Sequence, residues 1–262
     1  MKNIVPVLML TLLSGSAIGQ TQKQTTAKQD KKAERRERIS KLMKQEEEGE
    51  VVFNKQSVFG FKMVTDGYGI SYEFGKFKSN RVTNLFQFDF NEKKHPKEKK
   101  ISLFDGFGFS SIIFGKTNNF YQSKFSFGQQ RRIGGKGNRN GISVSGIYTG
   151  GFSLGMLKPY YVNVLANGKE IKSTFPTIVD SNYAIGGAAG ITYGWKDLKI
   201  KPGVQVRGAL RFDYGRFNEA VSAIEVGLAA EYYTQKISQV AYVDQKQLFF
   251  TAYMSFLFGR RK

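Results

Sequence analysis

Cysteine is absent from the 262-residue sequence. That excludes disulfides, thiolate metal ligands and the lipid-bearing cysteine of a lipoprotein. Histidine and tryptophan occur once each, as His95 and Trp195. One imidazole and no thiol leave no usual zinc ligand set, and no cofactor is expected. Long apolar runs are missing too. Beyond residue 20 nothing approaches the roughly 18 residues of a membrane-spanning helix, and mean hydropathy is −0.36. Acidic residues are scarce, 21 against 40 lysines and arginines, giving a formal charge of +19. Glycine runs such as GGKGNRNG (134–141) do not lead from a strand into a helix, so no phosphate-cradling loop is indicated.

What is plentiful is glycine (29), phenylalanine (23) and tyrosine (13), set in short alternating segments. In KPGVQVRGALRFDYGRF (201–217) every second residue from Val204 to Tyr214 is apolar or glycine, while Gln205, Arg207, Arg211 and Asp213 fall between. Successive strand side chains point to opposite sides, so one face is apolar and the other charged. The same period of two runs through ten segments: 57–65, 68–77, 82–91, 107–114 (the weakest), 120–130, 142–154, 182–195, 199–214, 219–234 and 247–258. Asp66-Gly67 marks a tight turn between the first two.

The start, MKNIVPVLMLTLLSGSAIGQ, has the positive end, apolar stretch and small residues of a secretory signal peptide, with cleavage expected before Gln20. Residues 20–55 read as a polar tether. From Asp30 they form a charged helix whose apolar stripe is only Ile39, Leu42 and Met43; it is read as a solvated tether, with partner docking as the alternative. Residues 20–50 carry nine basic and seven acidic side chains, so most of the positive excess belongs to the segments beyond residue 50. For an exported chain the nearby polyanion is a phosphate-bearing lipid head group, and no nucleic-acid partner is expected.

A soluble sandwich would bury the apolar faces and expose the charges. A transmembrane barrel inverts this, with apolar side chains toward lipid and charges toward each other in the lumen. Mixed signs on the polar faces favour the barrel. Lys62, Glu73, Asp89, Lys124, Arg207, Arg211, Glu225 and Glu231 are expected to form a lumenal ion-pair network, Arg207 and Arg211 facing Glu225 and Glu231 on the next strand. The expected fold is all-β: an antiparallel up-and-down transmembrane barrel over residues 56–262. Ten strands are preferred and eight are the alternative. In the ten-strand scheme residues 156–181 make an awkwardly long periplasmic connection. The final run FTAYMSFLFGRRK supplies the aromatic amphipathic strand that barrel-insertion machinery uses as a template.

The runs TDGYGISYEFGK (65–76), HPKE (95–98), FGKTNNFY (114–121), GGFSLGMLKPYY (150–161), IKPGVQVRGAL (200–210), AIEVGLAAEYY (223–233) and FFTAYMSFLFGRRK (249–262) resemble an uncharacterised family of small outer-membrane barrels from the Bacteroidota. The resemblance spans nearly all of 57–262. It implies an outer-membrane location and brings no catalytic residue. In such a barrel of a Gram-negative cell both chain ends, and so the N-terminus, are expected in the periplasm, which requires an even strand count.

Lipid-modifying barrels of similar size use a histidine with a serine. Here His95 lies in the basic run KKHPKEKK, and no spacing couples it to Ser110 or Ser111. Catalysis is not expected. Lys93, Lys94, His95, Lys97, Lys99 and Lys100, with Arg131, Arg132, Lys136 and Arg139 on another loop, are candidates to face lipopolysaccharide phosphates; simple solvated loops are the alternative. In GGFSLGMLKPYY the glycines permit close backbone approach, Pro159 ends pairing, and Tyr160 and Tyr161 suit a lipid–water boundary. The expected role is a structural or assembly component of the envelope with protein partners. A narrow solute channel and a lipid-modifying enzyme are the alternatives.

Overall fold

In the computed structural model, the described residues are 53–262 apart from 105–108, 137–140, 167, 182–183 and 216–218, together with 30, 32–34, 36–37 and 40–41. The chain divides into two units, Met1–Val52 and Phe53–Lys262. In the first, the described residues between 30 and 41 are helical. The expected signal segment and the stripe of Ile39, Leu42 and Met43 lie outside the described residues.

The second unit is built on a closed antiparallel barrel. Its wall strands are β1 (Lys55–Val64), β2 (Gly67–Phe77), β3 (Val82–Lys93), β6 (Asn118–Gly134), β7 (Ser143–Pro159), β11 (Lys199–Asp213), β12 (Ala220–Ile237) and β13 (Lys246–Arg261). They follow one another around the wall, and β13 pairs with β1 to close it. The remaining strands, β4 (Lys99–Phe104), β5 (Phe109–Phe114), β8 (Tyr161–Ala166), β9 (Lys169–Thr174) and β10 (Ala184–Ala188), stand outside the wall. The ten-strand expectation is therefore corrected to eight. Of segment 107–114 the described residues 109–114 form one arm of the β4–β5 hairpin, and of segment 182–195 the described residues 184–195 form β10 and a run of turns. Length decides against both: a tilted crossing strand needs about 9–11 residues, and β5 and β10 have six and five. The ten residues of β1 suffice; at about 3.3 Å per residue and a tilt near 40° they climb about 25 Å.

Removing those two segments also resolves the awkward 156–181 connection. Both ends of the wall, Lys55 and Arg261, lie at one rim with the connections 78–81, 135–142 and 214–219. The other rim carries the Thr65–Asp66 turn and the connections 94–117, 160–198 and 238–245. There β4–β5, the sheet β10–β8–β9 and a short helix, Phe175–Ser181, form a cap. Ile112, Val162, Val164 and Ile178 make its core, with Tyr160 and Ile185 against it.

The alternation is strict along the wall. On β1, Gln56, Val58, Gly60 and Lys62 are buried while Lys55, Ser57, Phe59, Phe61 and Met63 are exposed. The outward side chains are large and apolar: Phe250 is 75% exposed, Leu228 68% and Phe152 65%. A soluble domain does not expose a continuous surface of this kind. Glycine appears where inward positions have no room. A Cβ on Gly151 would come within 1.9 Å of the Phe125 carbonyl oxygen, whereas one on Gly208 would meet nothing within 4 Å. Gly151→Ala is therefore expected to destabilise the barrel by roughly 1–3 kcal/mol, and Gly208→Ala to leave it unchanged. Urea titration of the folded, heat-modifiable gel band measures both; equal midpoints would contradict this strand register.

Candidate functional site

The lumen is filled in layers. At the terminus rim, Val58, Val221, Ala223 and Leu257 form an apolar layer. At the cap rim, Phe120, Leu157, Tyr233 and Ile237 form another, with Phe249 packed on it. Charged side chains fill the space between and also reach both layers, Glu73 being the register partner of Val58, Asp213 of Ala223 and Lys93 of Phe120.

Arg211 is the centre of the first charged layer. It is directly opposite Glu225 across the β11–β12 pair, and its Nε and Nη2 donate to Glu225 Oε2 at 3.0 and 2.7 Å. Across the lumen its Nη1 and Nη2 donate to Glu73 Oε1 and Oε2 of β2 at 2.8 and 2.5 Å. This forked pairing uses the planar guanidinium in a way lysine could not. Gln56 donates to the same Glu73 Oε1 at 3.0 Å, and the Tyr253 hydroxyl donates at 2.7 Å to Glu225 Oε1, the oxygen that Arg211 leaves free.

In the next layer Lys62 Nζ lies 2.7 Å from Asp89 Oδ1, which also accepts from Gln87 at 2.8 Å. Arg207 donates to Gln87 and stands 3.8 Å from Asp89 and 3.9 Å from Glu225. The ring of Tyr253 lies under both cations, with Lys62 Nζ 4.8 Å from its centroid and Arg207 5.6 Å. In the third layer Glu231 accepts from Lys124, and from Gln122 at 2.7 Å. Lys93 Nζ joins it at 3.2 Å and reaches Asp66 of the first turn, also at 3.2 Å. Each charge thus meets an opposite one, as burial demands: a lone buried ion would cost several kcal/mol. The gap left among Lys62, Asp89, Lys124, Arg207 and Tyr253 is about 10 Å³, room for about one water.

All eight residues expected in the lumen are buried there, but their pairing differs from the expectation in one respect. Arg211 meets Glu225, whereas Glu231 lies opposite Gln205 and is served by Lys124 and Lys93 instead of Arg207. Lys93 corrects another expectation. It is 2% exposed, inside the barrel, and cannot face lipopolysaccharide. It shares the inward parity of Asp89 and Asn91 on β3, a signal that the neighbouring lysines in the sequence conceal. Gln56, Gln87, Gln122, Tyr233 and Tyr253 are further lumen residues not singled out from sequence.

The basic candidates separate between the two rims. Lys94, Lys97, Lys99 and Lys100 are exposed at the cap rim, Lys94 with its ammonium 5.2 Å from the Tyr68 ring centre. Arg131, Arg132 and Lys136 lie at the terminus rim and do not share that surface: Arg131 stands over Tyr148 at 5.6 Å, Arg132 donates to Asn80 at 3.4 Å, and Lys136 donates to the Gly215 carbonyl at 2.5 Å. Arg139 lies outside the described residues.

His95 closes a turn. Its Nδ1 accepts from the Lys97 amide at 3.1 Å, and its own amide donates to Glu98 at 3.2 Å. Partial burial, with Lys246 and Lys97 near, holds its pKa below the ordinary histidine value against the pull of Glu98. Among the described residues no serine hydroxyl hydrogen-bonds to it; Ser111 lies on β5, and the side chain of Ser110 is outside the described residues. Tyr160 departs from its expected boundary position: it packs against the cap core and accepts the Ile113 amide at 3.2 Å. Tyr161 donates to Asp197 at 2.9 Å. Trp195 is stacked on Tyr121 at 5.6 Å with Lys158 Nζ 4.9 Å from its ring.

Compared with protein families and with curated proteins, the sequence matches none. Among solved structures it is similar to Ail, the attachment invasion locus protein of Yersinia pestis, in complex with the heparin analogue sucrose octasulfate. The identity is 10%, covering 80% of this chain and 99% of that one at a TM-score of 0.38. It is also similar to Neisserial surface protein A (9%, 80% and 97%, TM-score 0.39). A third is the N-terminal β-barrel domain of Pseudomonas aeruginosa OprF (10%, 79% and 98%, TM-score 0.35). Likeness at this level transfers neither ligand nor role to the present chain.

Arg211→Leu would leave Glu73 and Glu225 without their main partner, and a loss of roughly 3–5 kcal/mol is expected. Arg131→Gln, at an exposed site, should cost less than about 1 kcal/mol. Equilibrium unfolding in detergent micelles compares them, and similar losses would show that the lumenal pairs are not what holds the wall.

Proposed function

We propose that this chain is a non-catalytic barrel of the Gram-negative outer membrane that serves as a structural or assembly component of the cell envelope. The observation that carries the reading is the inverted polarity: a lumen of paired ions inside a wall whose outward side chains are apolar over the height of a bilayer core. Among the described residues, apolar side chains packed near both rims and a gap of only about 10 Å³ among the ions support a lumen closed to solutes. The terminus rim, with its short turns, is assigned to the periplasm and the cap to the outside, in keeping with the usual division of short and long connections. The sequence resemblance to the Bacteroidota barrels supports the same location.

In this arrangement Lys94, Lys97, Lys99 and Lys100 face lipopolysaccharide phosphates. The cap and the N-terminal segment are the surfaces for envelope proteins, and the last strand is what the insertion machinery receives. Purified protein in planar bilayers is expected to show negligible conductance; steady single-channel openings would overturn the sealed-lumen reading. Gentle detergent extraction followed by mass spectrometry is expected to recover fixed protein partners, and recovery of monomer alone would count against the assembly role. His95→Ala is expected to leave lipid A composition unchanged, and an altered acyl pattern would point to enzyme activity.

A further inference from the structure

At the terminus rim, Lys262 just past the end of β13, Lys55 on β1 and Lys76 on β2 stand side by side. Lys55 and Lys262 exchange both backbone hydrogen bonds at 2.8 Å, and Lys55 is the register partner of Lys76. Side chains opposed in this way have Cβ atoms roughly 4.5–5.5 Å apart, and like charges there repel. All three are exposed and share the outward parity of Phe59, Phe74 and Phe258. Among the described residues no carboxylate pairs with any of the three side chains.

The rows above them show what the lysines border. Next comes Arg260–Ser57–Phe74, then Phe258–Phe59–Tyr72, then Phe256–Phe61–Ile70. A cationic row thus lies directly beneath an aromatic and aliphatic wall. Arg260 adds a fourth positive charge, with Glu219 3.9 Å away. Even a free carboxylate on Lys262 would leave cations in excess, and its main-chain oxygen is already held by the amides of Asn54 and Lys55 at 2.8 Å.

We infer that the row Lys262–Lys55–Lys76, with Arg260, is a binding site for the phosphate of an anionic phospholipid in the leaflet at the terminus rim, whose acyl chains lie against Phe74, Phe59 and Phe258. The inference rests on the reading of the barrel as membrane-spanning. A phosphate between the lysines turns a repulsive row into a set of charge-assisted hydrogen bonds, and the apolar rows supply the surface that a soluble anion would not use. The site is distinct from the lipopolysaccharide-facing lysines, which lie at the opposite rim.

The test uses the full chain in phosphatidylcholine nanodiscs containing a minority of phosphatidylglycerol, with retained lipid read by native mass spectrometry. The wild type is expected to enrich phosphatidylglycerol by roughly tenfold or more. The Lys55→Gln/Lys76→Gln variant should lose that preference, while Lys97→Gln/Lys100→Gln at the cap rim keeps it. The double variant at the terminus rim should also match or exceed the wild-type Tm in phosphatidylcholine alone, because a repulsion has been removed; an anionic lipid should raise only the wild-type value. Equal enrichment in wild type and Lys55→Gln/Lys76→Gln would overturn the site, as would full competition by inorganic phosphate. Failure of the wild type to enter nanodiscs would overturn the membrane reading itself, and is seen before any lipid is counted.

Discussion

The barrel is organised by what its lumenal ions require. Arg211 sits where water cannot compensate it, so Glu225 on the neighbouring strand and Glu73 across the lumen must both reach it. One side chain thereby fixes the β11–β12 register and the distance from β11 to β2. That distance suits eight strands, the size at which side chains alone fill the interior. Two more strands would carry Glu73 out of reach and leave carboxylates stranded. The Lys62–Asp89 pair and the Glu231 cluster impose the same condition at other heights.

The exterior is set by the same geometry. Because strand side chains alternate, committing one set of residues to the lumen commits the other to the outside without further choice. The outward Phe, Tyr, Leu and Val residues would be a liability in water and are an asset in hydrocarbon. The ions of the network are almost wholly buried, so the pairs act in a setting of low dielectric.

A period of two is enough to locate all eight wall strands, with boundaries shifted by a few residues, because an inward–outward wall leaves that pattern in any sequence. It is not enough to reject segments 107–114 and 182–195, since strands in a cap alternate as well. Only their short uninterrupted pairing distinguishes them, and that is visible once partners are known. Signs of charge identify eight ionic residues of the network, but not who meets whom, which depends on reach across the lumen. Lys93 is hidden in the sequence because its neighbours Lys94, Lys97 and Lys99 are truly external. The neutral members, Gln56, Gln87 and Gln122, leave no signal beyond parity. Which rim each basic residue occupies depends on strand count, so a count of ten puts Arg131 and Arg132 on the wrong side.

The seam between β1 and β13 joins the first and last strands of the wall, more than half of the chain apart in sequence. Every other wall contact joins strands closer in sequence, so this one carries the largest loop-closure entropy. Until Lys262 reaches Asn54 and Lys55, the molecule is an open ribbon with two adhesive edges. Closure of the wall therefore depends on its two sequence-distant ends meeting.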